Sequence, residues 1–187
     1  MRARHSLLLI CVVLVFAATA SAQGIQSVYT NVSGNKCKTI EENEEAAGYM
    51  LQRCPGVAGY KLQVSSQDLR QGLEIIKPDG SAHELDVGMI GGGSFSFLGD
   101  KAEWRVKRQR GKLVPIALIV RFSVARQMDD GTSKDIPYLT VTKITPQKIC
   151  MVKTVAPSPN ANVEARRLAD ASADKPCYDG LAPGNPE

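Results

Sequence analysis

The chain has 187 residues, 23 basic against 19 acidic side chains, a formal net charge of +4, and 43% hydrophobic but only 5% aromatic residues. That length supports one ordinary domain with a real core. So small a charge excess lends no support to nucleic-acid binding. Residues 1–22 have the order of a cleaved secretory signal peptide: Arg2, Arg4 and His5, then the apolar Leu7–Phe16, then small residues ending Ala20-Ser21-Ala22. The apolar run is short for a membrane span, and Cys11 lies inside it without the surroundings of a lipoprotein cleavage site. Removing 22 of 187 residues leaves 165, and taking Arg2 and Arg4 from the 23 basic residues leaves 21 against 19, a net charge near +2. No later apolar run approaches membrane-spanning length.

The expected mature chain keeps Cys37, Cys54, Cys150 and Cys177. An even count in an exported chain predicts two disulfides. Cys37–Cys54 with Cys150–Cys177 is the favoured pairing, because each closes a local loop. Stapling one terminus to the other is the alternative. A metal site ranks third, since the spacings contain no C-x-x-C.

Gly24–Val32 is mildly β-prone, and Asn31-Val32-Ser33 is a glycosylation sequon. Between Cys37 and Cys54 the acidic run Glu41-Glu42-Asn43-Glu44-Glu45 reads as a solvated loop or short helix. Beyond Cys54-Pro55-Gly56 the chain becomes strand-like. Tyr60, Leu62 and Val64 alternate with polar residues, as do Leu73 and Ile75. Lys77-Pro78-Asp79-Gly80 is a turn that returns Ala82–Leu85 as a hairpin partner. Met89-Ile90-Gly91-Gly92-Gly93 precedes the alternating Ser94-Phe95-Ser96-Phe97, so it reads as a bend or bulge before a strand and not as a phosphate loop.

The clearest hairpin follows. Ala102, Trp104 and Val106 share one face and Glu103, Arg105 and Lys107 the other, and Gln109-Arg110-Gly111 turns into Leu113–Ala125. That second strand is the most apolar of the mature chain. Its even positions Val114, Ile116, Leu118, Val120, Phe122 and Val124 are apolar throughout, and its odd positions only as far as Ile119. Its first half is therefore predicted to be buried on both faces. Pro115 removes a ladder donor and must sit at the strand start, at a bulge or on an edge. After the Asp129-Asp130-Gly131 turn, Ile136–Ile144 returns with Leu139 and Val141 inward and Thr140 and Thr142 outward, and Ile149–Val155 forms a last strand. A helix is predicted over about 162–173, capped by Asn162, with Ala161, Ala165, Leu168, Ala169 and Ser172 on one weakly apolar stripe. Docking of that stripe needs the Cys150–Cys177 tether. Residues 178–187 read as a disordered tail.

The sum is one mainly β domain over 23–177, an antiparallel β-sandwich or partly open barrel of about seven or eight strands, with one C-terminal helix and two disulfides. Chemistry is sparse. The only histidine of the mature chain, His83, has no nucleophile singled out beside it and reads as an exposed strand or turn residue. Among Glu41, Glu42, Glu74, Glu84, Asp100 and Glu103 no carboxylate pair stands out. No cofactor and no metal are implied. The densest charge is Arg105, Lys107, Arg108, Arg110 and Lys112, two on the outer face of a strand and three around its turn. Such a tip is suited to an anionic lipid, lipopolysaccharide or an acidic protein partner. The plainer reading is that its charge keeps a hairpin edge from aggregating.

The segments Gly34–Thr39, Gln52–Tyr60, Leu98–Arg105, Lys112–Arg121 and Lys175-Pro176-Cys177 resemble those of small exported proteins of proteobacteria without an assigned function. The resemblance covers most of the mature chain. It implies a periplasmic or secreted location and a bacterial source, which makes the sequon moot, and nothing catalytic. Two functions follow as expectations: a non-enzymatic binding or inhibitory module of the bacterial envelope, presenting the basic tip or the glycine-rich loop, or a carboxylate-based hydrolase of envelope polymers.

Overall fold

Two residues with positive φ, Arg110 (48°) and Gly111 (78°), join the two longest strands, β7 (Ser96–Gln109) and β8 (Lys112–Gln127). Gln109 pairs with Lys112, so the loop has two residues in the I′ geometry whose twist suits a hairpin. The computed structural model of the protein describes residues 24–178. The signal-peptide assignment and residues 179–187 of the tail assignment lie outside that range.

In chain order, β1 (Gln26–Asn31), β2 (Lys38–Asn43), β3 (Tyr49–Pro55), β4 (Lys61–Gln67), β5 (Arg70–Ile76) and β6 (Ala82–Leu85) precede the short helix α1 (Gly88–Gly91). After β7 and β8 come β9 (Ser133–Ile144), β10 (Ile149–Val155) and helix α2 (Ala161–Asp170). The ten strands run β10-β9-β8-β7-β5-β4-β3-β2, with β1 beside β7 and β6 beside β5. That is more than the seven or eight expected, because the short β1 and the fully exposed β2 both pair. The acidic Glu41-Glu42-Asn43 is thus the end of a strand, with the predicted loop confined to the residues after it. Every pairing is antiparallel except one parallel bridge, Arg70 to Ser96. The sheet does not close.

That single bridge is a seam. One core gathers Leu62, Val64, Leu73 and Ile75 from one side of it and Trp104, Leu118, Val120 and Phe122 from the other. The sheet therefore folds over on itself as an open sandwich. Trp104 is fully buried and donates its indole N–H to Thr30 Oγ1 at 2.9 Å, which satisfies its one polar atom. A second core lies on the far face of β8–β9–β10. There Ala117, Ile119, Leu139, Val141 and Val155 pack under Ala161, Ala165 and Ala169 of α2.

β8 is buried on both faces from Ala117 to Val124, Arg121 excepted; Leu113, Val114 and Ile116, in the half expected to be buried on both faces, are only half-buried, because neither β1 nor β9 flanks them. A bulge interrupts it, since Arg105 pairs with Ala117 but Val106 with Pro115, leaving Ile116 as the extra residue. Pro115 sits there, beyond the reach of β9, whose pairing begins at Ala117. The bulge also resets the alternation, so Leu113 and not Val114 packs on the first core. β9 corrects the expected outward Thr140 and Thr142: both are buried, on the face opposite Leu139 and Val141. Thr140 Oγ1 donates to Val120 O at 3.1 Å, and a hydroxyl so bonded tolerates burial.

The C-terminal segment is fixed at several points. Cys150–Cys177 and Cys37–Cys54 are both formed, closing 27 and 17 residues. Lys143 Nζ donates to Lys175 O at 2.5 Å, and the amide of Tyr178, placed in the tail by its sequence, donates to Met151 O at 2.7 Å. α2 starts with Asn160 at its N-cap, two residues before the expected Asn162, and Glu164 lies in its first turn. Both disulfides fit an oxidising compartment, and among the described residues no helix is long and apolar enough to cross a membrane.

Candidate functional site

β1 pairs with β7 only as far as Val106, and β9 with β8 only from Ala117. Beyond those limits the β7–β8 hairpin is a two-stranded ribbon with both edges unpaired. Lys107 to Gln109 at about 3.3 Å each carry it roughly 10 Å beyond the last residue paired with β1, with Leu113 still packed on the first core. Lys107, Arg108, Arg110 and Lys112 are all exposed on it. Among the described residues no carboxylate forms a salt bridge with any of the four. Arg108 Nη1 donates to Gly111 O at 3.0 Å, which braces the turn and still leaves its charge unneutralised. An unpaired cationic ribbon both repels edge pairing and attracts anions.

Arg105 stands apart from this group. It is 8% exposed, and its Nε and Nη2 grip the Asp170 carboxylate of α2 at 2.7 and 2.8 Å. It also bonds Ser27 and lies 3.7 Å from Glu103. The bonds to Asp170 raise its pKa above the ordinary guanidinium value. Glu103 in turn accepts Arg166 Nε at 2.6 Å and Ser27 Oγ at 2.5 Å. Burial alone would raise the Glu103 pKa, but the bonds from Arg166 and Ser27 outweigh it and hold the carboxyl below its usual range. The alternation of β7 does put Arg105 outward. What the sequence did not disclose is that α2 lies over that face and supplies Asp170 and Arg166.

At the foot of the ribbon is a cleft of about 400 Å³, lined by Tyr60, Lys107, Val114, Ile116, Ile144 and Pro146 among others. The Cys54-Pro55-Gly56 corner brings Tyr60 here. A Cβ on Gly56 would stand 2.2 Å from Tyr60 O, so only glycine allows that approach. Tyr60 also rests on Trp104, with ring centroids 6.1 Å apart.

The opposite end of the sandwich holds a feature with little sequence signal. The β4–β5 turn has two non-glycine residues at positive φ, Asp68 (47°) and Leu69 (56°), and Leu69 is 72% exposed. A leucine held there is strained. Phe95 and Phe97 are also exposed beside it, in a groove of about 620 Å³, and Arg70 lies 5.3 Å over the Phe95 ring. The glycine stretch leads into this groove as the turn of α1 followed by Gly92 and Gly93 at positive φ. The Phe95–Phe97 alternation was legible, but not which face it would present.

The hydrolase candidates are scattered. Glu41, Glu42 and Glu84 are exposed on strands, and Glu74 accepts Gln63 Nε2 at 2.6 Å. Asp100 and Glu103 line one groove, where Asp100 accepts Ser33 Oγ at 2.7 Å and Glu103 is locked to Arg166. A carboxyl with a lowered pKa is a poor general acid. His83 lies on β6, partly buried, with Nε2 lacking a hydrogen-bond partner among the described residues. Among those residues no group of three or more His, Cys, Asp or Glu is placed to hold a metal ion.

The chain matches no family model, and no curated protein or solved structure is significantly similar to it.

Proposed function

We propose that this chain is an exported, non-enzymatic binding module of the bacterial envelope whose projecting ribbon takes an anionic component. The observation that carries the reading is the cluster of Lys107, Arg108, Arg110 and Lys112, exposed and without carboxylate partners on a bare hairpin. Exposed Lys61 and Lys148 belong to the strand ends and turns at the same end of the sandwich and extend the positive surface. Two disulfides and the signal-like start of the chain support export. The hydrolase alternative draws less support, because the Glu103 carboxylate is committed to Arg166.

The test is retention on vesicles containing phosphatidylglycerol at low salt. Each basic residue near an anionic bilayer is worth about 1 kcal/mol. Replacing Arg108 and Arg110 together by serine should then weaken retention on the order of thirtyfold. Unchanged retention of the double variant would refute the reading.

A further inference from the structure

We propose that the cleft at the foot of the ribbon is a binding site for the apolar chain of an anionic amphiphile, whose head group is held by Lys107. This rests on the ribbon reading above and names the ligand class. The cleft's volume of about 400 Å³ lies within the roughly 300–1,000 Å³ of small-molecule sites. Its walls are apolar on three elements: Val114, Pro115 and Ile116 of β8, Ile144 and Pro146 around the β9–β10 turn, and Ala169 and Ala173 at the end of α2. The bulge at Ile116 brings part of this wall about by lifting one residue out of the ladder.

Charge selects the head group. Two charged side chains line the cleft, Lys107 and Asp170. Asp170 is already neutralised by the bidentate grip of Arg105, whereas Lys107 has no carboxylate partner among the described residues. The net field in the cleft is therefore positive, and Gln109 and Thr145 add neutral hydrogen-bonding groups at its wall. Ser172 lies beneath this wall at 1% exposure, its hydroxyl turned away from the opening. An apolar body with a negative head fits this lining, and a cationic amphiphile does not.

The experiment titrates the oxidised protein with octanoate, decanoate and dodecanoate below their aggregation concentrations, with dodecyltrimethylammonium as the cationic control. Trp104 is the only tryptophan of the chain and touches Tyr60 of the cleft, so its fluorescence reports occupancy. The expected result is saturable binding of one carboxylate per chain, about fourfold tighter per added methylene, and no binding of the cationic control. Lys107→Gln should weaken dodecanoate several-fold. Ala173→Phe, at an exposed position on the rim, should abolish its binding while circular dichroism stays unchanged. Should that variant not fold, Lys107→Gln and the chain-length series decide alone. Affinity independent of chain length, equal binding of the cationic control, or an unaffected folded Ala173→Phe variant would each overturn the proposal. Vesicle retention that depends on Arg108 and Arg110 without any carboxylate binding would overturn the cleft and leave the ribbon reading standing. Carboxylate binding without vesicle retention would do the reverse.

Discussion

Replacing Asp170 by alanine should strip Arg105 of its bidentate partner and loosen α2 from β7. Breaking a buried ion pair by deleting one partner costs about 3–5 kcal/mol, because the other charge is left uncompensated. Here the Asp170 side chain is 31% exposed and Arg105 keeps Glu103 at 3.7 Å, so the expected cost falls to about 2–3 kcal/mol. In a domain of this size that corresponds to a fall in Tm of roughly 4–12 °C. The assay is urea unfolding of the oxidised protein, followed by circular dichroism. Arg105→Met alone should cost a similar amount. The double variant Asp170→Ala/Arg105→Met should lie within about 1 kcal/mol of the parent, because no buried charge is then orphaned. A loss under about 1 kcal/mol for Asp170→Ala, or a double variant as unstable as the two singles summed, would show that this ion pair does not hold α2 on β7.

Further outcomes follow from the same geometry. Changing Cys150 and Cys177 to alanine releases a 27-residue closure worth about 3.5 kcal/mol on the chain-entropy model. Because α2 buries little but three alanines, its amides should lose hydrogen-exchange protection before those of β8. Leu69→Gly should stabilise the fold by about 0.5–1 kcal/mol of relieved strain and so raise the Tm, since Leu69 sits at φ 56° with little of its side chain buried; calorimetry that found a loss would contradict the strain. Glu103 has a folded pKa below its ordinary 4.5. Its contribution is therefore complete at neutral pH and is lost as the pH falls through the folded value. Acid titration of stability from pH 5 to pH 3 should be shallower in Glu103→Gln, and equal slopes would speak against this linkage.

The elements that were legible in the chain are those where one physical requirement dominates. β8 had apolar residues on both parities, and from Ala117 to Ile119 that reflects a strand between two layers, whereas Val114 and Ile116 line the cleft instead. The Arg110–Gly111 turn was marked by glycine, and the alanine stripe of α2 by its spacing. The misreadings arose where burial depends on a partner remote in sequence. Thr140 and Thr142 looked outward because they are polar, yet a hydroxyl bonded to a neighbouring strand's carbonyl can be interior. Glu41 and Glu42 looked like loop because no position of β2 is buried, and an edge strand with both faces in water carries no alternation. In the candidate site, the exposed ribbon of Lys107, Arg108, Arg110 and Lys112 followed from local charge alone. Arg105 did not belong with it, because Asp170 arrives from 65 residues away. The cleft needed the β3–β4 corner, the bulge at Ile116 and the end of α2 together, so no single stretch announced it.

If the bare basic ribbon meets an anionic partner, a polyanion must perturb its amides before any others. Titrating ¹⁵N-labelled, disulfide-intact protein with a soluble polyanion at low salt, and following every backbone amide, tests it most directly. Saturable shifts are expected on Lys107–Lys112, spreading to Lys61 and Lys148 and reversed by added salt. Shifts centred instead on Leu69, Phe95 and Phe97, or an unperturbed ribbon at saturating polyanion, would contradict it.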